Sequence, residues 1–174
     1  SLLSTNYRTS SRCLRGRYYW YKRTAEAFQK AIGFYEQALT EDPDYALAHS
    51  GLADCHTILG FYGMLPPMEA GPRAEAAASK ALQIDADLAA THASIGAVKS
   101  LYHWNWTAGE RAFQWAIELD SYYPVAQMWY SAFVLIPLGR LDEAYSEWKH
   151  AAELDPVTPI VNVGPGLILV CQRQ

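Results

Sequence analysis

Histidine, cysteine and acidic residues are the groups in this sequence that could carry chemistry, and their spacing does not assemble a reactive site. The five histidines are His49, His56, His92, His103 and His150. They are not arranged as convergent ligands of one metal ion. Cys55 and His56 are adjacent, so on a helix their side chains point about 100° apart and cannot form a nucleophile–base pair. We interpret Cys55 as a buried structural thiol and the equivalent His49 and His92 as packing residues.

Two acidic segments resemble the start of a calcium loop but lack the downstream glycine and glutamate that such a loop needs. They are Asp42-Pro43-Asp44 and Asp85-Ala86-Asp87, which we interpret as turn and N-cap residues. No glycine-rich phosphate loop follows a strand, and no serine stands in a nucleophile elbow. The sequence therefore predicts no enzymatic activity, no catalytic residue, no cofactor and no metal site.

The composition excludes several classes of protein. The chain has 174 residues, of which 51% are hydrophobic and 18% charged, so it is not intrinsically disordered. Its cysteines, Cys13, Cys55 and Cys171, are too few and too far apart for a disulfide framework. They predict free thiols in a reducing compartment and hence a cytoplasmic location. The apolar stretch 157–170 is short and interrupted by proline and glycine, so we predict no membrane span.

Charge is distributed unevenly along the chain. Residues 1–23 contain six basic residues and no acidic one, whereas the remainder has eight basic and 18 acidic residues. An acidic body argues against nucleic acid as the ligand. The basic segment is expected to dock either on an acidic partner or on the acidic body of the same chain.

A repeated pattern predicts the architecture. A phrase such as Ala-Ala-Glu-Leu-Asp-Pro recurs and ends at positions 43, 86, 121 and 156. Before each of these phrase ends, a small residue is followed four positions later by a residue that is bulky in three of the four copies. An alanine follows three positions after that, and this spacing places all three residues on one face of a helix. These sets are Ala31, Tyr35 and Ala38; Ala74, Ala78 and Ala81; Gly109, Phe113 and Ala116; Ala144, Trp148 and Ala151. A helix precedes each set, with Gly16, Ala53, Gly96 or Ser131 expected at the helix crossing.

These residues resemble the pattern of tetratricopeptide repeat proteins, whose 34-residue unit is a pair of helices. The resemblance implies an all-α, right-handed superhelical solenoid of antiparallel helix pairs with about nine helices. It predicts one array over 1–174, with repeats at approximately 9–45, 46–88, 89–123 and 124–158 and a partial or capping helix at 159–174. The segment 14–24 further resembles repeat regions of multidomain bacterial regulators.

In a solenoid of helix pairs the first helices line the concave face. Counting three and four residues from each crossing predicts the side chains of a partner-binding groove. They are Arg17, Trp20, Ser50, Asp54, Thr57, Ala97, Ser100, Met128 and Leu135. Some members of the family clamp a terminal carboxylate with lysine, asparagine and arginine. The corresponding positions here are Asp54, Ala93, Ala97 and Met128, so that binding pattern is excluded.

Other apolar segments lie outside the repeated pattern. Tyr18 to Tyr21 are four consecutive aromatic residues, so their side chains point to all sides of the helix that contains them. We expect Trp104 and Trp106 to cap the loop end of the core. The insertion 60–71 is expected to fold back on the array or to form one wall of a binding site. The apolar helix after Pro156 is expected to be covered by the rest of a longer array or by a second copy in a homo-oligomer.

The sequence thus predicts a non-catalytic scaffold or regulatory module that binds a protein or peptide partner through its concave groove. The alternative is a ligand-sensing regulatory domain of a larger bacterial transcription factor or kinase. An open groove would favour the first hypothesis, and a closed pocket lined by Trp20, Tyr62 or Trp104 would favour the second.

Overall fold

Helix follows helix throughout residues 2–172, the part of the chain that the computed structural model describes, and this part contains no strand. The helices are α1 (Leu2–Trp20), α2 (Ala25–Glu41), α3 (Ala46–Phe61), α4 (Pro67–Ile84), α5 (Ala89–Leu101), α6 (Trp106–Leu119), α7 (Pro124–Tyr130), α8 (Leu141–Leu154), α9 (Pro159–Asn162) and α10 (Gly164–Cys171). The first eight form four hairpins, and the last two are pieces of one broken helix. The all-α prediction is confirmed.

The small–large–alanine pattern forms the buried face of the second helices. Tyr35 of α2 is buried against α1 and α3. A Cβ atom at Gly16 would come within 2.7 Å of the Tyr35 ring, and one at Gly51 would overlap it. Phe113 has the same relation to Gly96, where a Cβ atom would lie 2.9 Å away. The prediction that small residues allow these helices to approach is confirmed.

The same turn joins each hairpin to the next helix. An aspartate at the end of the second helix accepts a hydrogen bond from a backbone N–H two residues later, at Asp42, Asp85, Asp120 and Asp155. A side chain of the following helix then donates to a carbonyl oxygen of the turn. These bonds join His49 to Pro43, His92 to Ala86, Gln127 to Ser121 and Asn162 to Asp155, at 2.7–3.0 Å. The aspartates are turn residues as predicted, although they end helices rather than start them.

Two helices depart from the predicted regularity. The chain continues α7 as a π-helical turn over Ser131–Leu135, and Pro137 follows, which has no N–H to donate to an α-helical carbonyl. Ser131 sits at the helix crossing as predicted, and its Oγ donates to the carbonyl oxygen of Ala144 at 2.7 Å. The last helix breaks at Val163, just before Pro165. The expected single helix after Pro156 is therefore two short ones.

Candidate functional site

Arg17 and Asp54 form an ion pair between neighbouring first helices. Nη1 of Arg17, in α1, lies 2.8 Å from Oδ2 of Asp54, in α3, and Asp54 is fully buried. Oγ of Ser94, in α5, donates a hydrogen bond of 2.6 Å to the other carboxylate oxygen. Burial raises the pKa of Asp54, while Arg17 and the Ser94 hydroxyl act in the opposite direction. One buried carboxylate therefore joins three successive first helices.

Aromatic side chains fill the space beside this ion pair. The ring centroids of Trp20 in α1 and Trp129 in α7 lie 5.6 Å apart in an edge-to-face arrangement. Trp129 is also 5.6 Å from Phe133, and Phe133 is 5.2 Å from Phe61 at the end of α3. Arg17, Trp20, Asp54, Trp129 and Phe133 are called the central cluster below. Its rings connect the first and fourth hairpins directly.

The prediction of an open groove lined by the nine first-helix residues is wrong. Eight of them are at most 3% exposed, namely Trp20, Ser50, Asp54, Thr57, Ala97, Ser100, Met128 and Leu135. Only Arg17 keeps some exposure, 20% of its side chain. The spacing identified the inward faces of the first helices, but these faces are buried at the eight positions. A cavity of about 310 Å³ remains beside Arg17, lined in part by Cys13 and Leu47. The eight side chains offer no surface to a partner in this state.

A residue with positive φ stands just before the second helix in three hairpins. These residues are Arg23 (φ 56°), Trp104 (φ 52°) and Gly139 (φ 73°), each followed by the N-cap residue. Glycine adopts this left-handed backbone freely, whereas other residues lose about 1–2 kcal/mol in it. Arg23 and Trp104 thus occupy a position that the fourth hairpin gives to glycine. Aligning the three turns in the sequence would have singled out both residues.

The guanidinium group of Arg23 has few polar contacts. Its central carbon lies 3.7 Å from the centroid of the Trp20 ring. Its Nε and Nη2 atoms are buried and find no hydrogen-bond acceptor among the described residues. Burial lowers the pKa of Arg23 to about 10, so the group remains charged at neutral pH. A charged guanidinium group with buried N–H donors and no hydrogen-bond acceptor is uncommon in a folded interior.

Arg12 and Arg15 of the basic segment dock on α2 of the same chain. Arg12 pairs with Glu41 at 2.6 Å and donates to the carbonyl oxygen of Gln37. Arg15 lies over the Phe34 ring, and Lys22 lies over the Tyr18 ring at 4.5 Å. Of the two alternatives for this segment, the structure thus supports intramolecular docking. It also explains much of the Tyr18 to Tyr21 cluster as a support for cations.

A second candidate site lies where the insertion meets the third hairpin. Residues of α3, α4 and the α5–α6 turn surround a cavity of about 480 Å³. The lining used below is Phe61, Met68, Glu75, Tyr102, His103 and Trp104, which together are called the insertion-end cleft. Met68 is 90% exposed and Trp104 72% exposed, so the prediction that Trp104 caps the core is wrong. The ring of Trp106 lies 5.8 Å from that of Trp104.

The insertion folds back only in part. Leu65 packs against the core, whereas Phe61, Tyr62, Met64 and Met68 remain exposed. Most of the segment belongs to helices, because α4 already begins at Pro67. Tyr102 packs on Gly71 and donates its hydroxyl to the carbonyl oxygen of Thr57 at 2.9 Å. One wall of the insertion-end cleft is thereby fixed to the body of the array.

Several of the described titratable groups take part in packing or ion pairing. Cys13 and Cys55 are free thiols, and burial raises the pKa of Cys13 to about 12 and also raises that of Cys55; the side chain of Cys171 lies outside the described residues. No three His, Cys, Asp or Glu side chains within the described range could share a metal ion. The hydroxyl of Tyr130 donates to Glu110 at 2.5 Å, and Arg140 pairs with the same carboxylate at 2.7 Å.

None of the helices in the described range is long and apolar enough to cross a membrane. No known family model and no curated protein matches the sequence. Solved structures do match the fold. A tetratricopeptide repeat protein of Thermus thermophilus, TTC0263, superposes with a TM-score of 0.64 and 19% identity, over 82% of this chain and 73% of its own.

Two further matches agree. PilF of Pseudomonas aeruginosa gives a TM-score of 0.62 at 17% identity, over 98% of this chain and 71% of its own. MamA gives 0.52 at 22% identity, over 87% and 82%. At these identities the likeness concerns the fold alone. The chain folds as a helical solenoid of the tetratricopeptide repeat type, as its sequence resemblance predicted.

Proposed function

We propose that this chain is a non-catalytic protein-interaction module that binds its partner through the insertion-end cleft. The observation that supports this is the exposure of Met68 and Trp104, at 90% and 72%, on the rim of one cavity. Adjacent exposed apolar side chains mark interaction surfaces more often than isolated ones do. Eight of the nine residues of the sequence-based groove are buried, so we place the partner site at this edge of the array.

Three observations favour a partner that presents an apolar side chain. Phe61, Met68 and Trp104 give the cavity apolar walls. Glu75 is occupied by its neighbours, since Lys99 and His103 lie 3.4 and 3.2 Å from its two carboxylate oxygens. Trp104 has a left-handed backbone, which costs free energy, although its ring is not buried. Such strained residues cluster at functional sites.

Affinity capture from a lysate of the source organism tests the proposal. Met68→Glu places a charge on the apolar rim and is expected to abolish capture of the protein that the wild-type chain retains. Tyr122→Glu is the matched control, because Tyr122 is 79% exposed and does not line the cleft. Unchanged capture by Met68→Glu, or equal loss in both variants, contradicts binding at the cleft.

A ligand-sensing domain of a larger bacterial regulator is the second candidate. The observation in its favour is the same cavity of about 480 Å³ with Trp104 in its wall, a size within the range of small-molecule sites. Saturation-transfer NMR with a mixture of bacterial metabolites tests it. A metabolite signal that Met68→Glu removes and Tyr122→Glu leaves would support sensing over protein binding.

We further propose that the four hairpins act as one array in the cytoplasm of a bacterium and that a second copy covers α10. Leu167, Leu169 and Val170 of this helix are exposed, between 45% and 62%. Light scattering should then show a dimer that Leu167→Glu converts to a monomer. A monomeric wild-type chain at high concentration argues against this contact.

A further inference from the structure

The turn of the first hairpin and the start of the last helix face each other across a second cavity. It has a volume of about 600 Å³. One wall consists of Tyr18, Tyr21, Lys22 and Arg23, and the other of residues 157–160 and Val163. Cations therefore stand on one side, and mostly apolar side chains stand on the other.

Positive charge exceeds negative charge where this cavity meets the central cluster. Arg17 and Arg23 lie within electrostatic range of each other and of one carboxylate, that of Asp54. Asp54 already pairs with Arg17 at 2.8 Å. No carboxylate within the described range lies at ion-pair distance from Arg23, and Lys22 contacts the rings of Tyr18 and Tyr19 instead. The guanidinium of Arg23 is thus left without an ion-pair partner among residues 2–172, and Asp155 acts electrostatically on Tyr21 of the same wall.

The unsatisfied atoms of Arg23 have a defined geometry. Nε and Nη2 form one edge of the guanidinium plane and point in parallel, which is the edge that binds both oxygens of a carboxylate. Both atoms are covered in the unbound chain, so binding requires the side chain to turn toward the cavity that it already borders. The left-handed backbone of Arg23 stores strain at the residue that would move.

We infer that this cavity binds an acidic side chain of a partner segment whose neighbouring residues are apolar. The inference rests on the proposed protein-binding function and adds a second contact to it. The carboxylate would occupy the free edge of Arg23, and its apolar neighbours would contact Val157, Ile160 and Val163. A free inorganic anion fits this site less well, because it would leave the apolar wall without a partner.

Two blocked tripeptides serve as probes, acetyl-Val-Glu-Val-amide and acetyl-Val-Gln-Val-amide. Binding to the whole chain is followed by NMR through the Nε–H signals of Arg23 and the indole N–H of Trp20, which contacts it. We expect dissociation of the glutamate peptide at about 1 mM and binding at least about tenfold weaker for the glutamine peptide. Equal binding of the two, or no shift of the Arg23 signal with either, overturns the inference.

Three variants separate recognition from folding. Arg23→Gly removes the guanidinium and suits the positive φ, so it should fold at least as stably and lose the preference for glutamate. Arg23→Lys keeps the charge without the fork and should bind several-fold more weakly. Arg15→Gln is the matched control, since Arg15 lies over Phe34 and does not line the cavity. Equal loss in Arg15→Gln would mean general attraction by a basic surface and would overturn the site.

The peptide experiment and the capture experiment can contradict the two proposals independently of each other. Loss of partner capture in Met68→Glu with equal binding of the two tripeptides leaves the protein-binding function and removes the acidic contact. Capture that persists in Met68→Glu, with a preference for glutamate that depends on Arg23, leaves the acidic contact and removes the insertion-end cleft.

Discussion

The central cluster and the insertion-end cleft are both rich in aromatic side chains, yet one is closed and the other open. Trp20 and Trp129 are at most 1% exposed and pack edge to face, beside a buried ion pair. Trp104 stands on a left-handed turn with most of its ring in solvent. The difference shows that backbone position, rather than residue type, decides whether a tryptophan of this chain packs or remains available. It also predicts that the two regions respond differently to substitution.

The largest expected difference comes from Asp54. Asp54→Ala leaves the Arg17 guanidinium of the central cluster without its counter-ion and should lower the free energy of unfolding by about 3–5 kcal/mol. Met68→Ala in the cleft should change it by less than about 0.5 kcal/mol, because Met68 is exposed. Urea unfolding followed by circular dichroism measures both values. Similar values for the two variants would remove the distinction between a structural and an available region.

The next effect tests close packing beside the central cluster. Gly51→Ala should lower the free energy of unfolding by about 1–3 kcal/mol, since the added methyl group overlaps the Tyr35 ring. Gly33→Ala is the control on α2, where a Cβ atom meets nothing within 4 Å. This control should raise stability by about 0.5–1 kcal/mol, because alanine favours the helix. A neutral Gly51→Ala would show that Tyr35 can move aside.

A smaller effect tests the turn position that distinguishes Trp104. Gly139→Ala should lower the free energy of unfolding by about 1–2 kcal/mol, because alanine must adopt the left-handed backbone that glycine has there. Gly166→Ala, in α10 with no atom within 4 Å of the added methyl, should show no loss. If thermal denaturation finds Gly139→Ala neutral, Arg23 and Trp104 store no strain at the equivalent turns.

The smallest effect lies on the opposite face of α3 from Asp54. Burial lowers the pKa of His56 below its usual 6.5, and Arg73 adds to the shift. The folded state then binds a proton less readily than the unfolded state. Stability is therefore complete above about pH 6.5 and declines as the pH falls below it.

His56→Gln should reduce this decline in a series of denaturation curves between pH 7.5 and about 5.5. His150→Gln is the control, because His150 is exposed on α8. An equal pH dependence in the wild-type chain and the His56 variant would assign the decline to other groups.

Local spacing predicted the repeated part of this molecule well. Tyr35 and Phe113 belong to sets of residues three and four apart on one helix, which sequence periodicity reports directly. Gly16 and Gly96, which they contact, were expected at the helix crossings, whereas Gly51 was missed because Ala53 was expected there. The closed interior was beyond that reasoning, because the contact of Trp20 with Trp129 joins the first hairpin to the fourth. The exposure of Trp104 was also missed, since tryptophan itself does not indicate a positive φ. Only an alignment of its turn with the turn at Gly139 would have indicated it.

The contact between Trp20 and Trp129 gives this solenoid an unusual mechanical character. In an array whose repeats contact only their neighbours, each interface between repeats can separate independently of the others. Here the rings of Trp20 and Trp129 join the first hairpin to the fourth, so tension applied between these two hairpins acts first on this ring contact. The chain should resist extension with a single initial force peak and then lengthen repeat by repeat. A ligand that broke the contact between Trp20 and Trp129 would therefore lower the resistance of the whole array to extension.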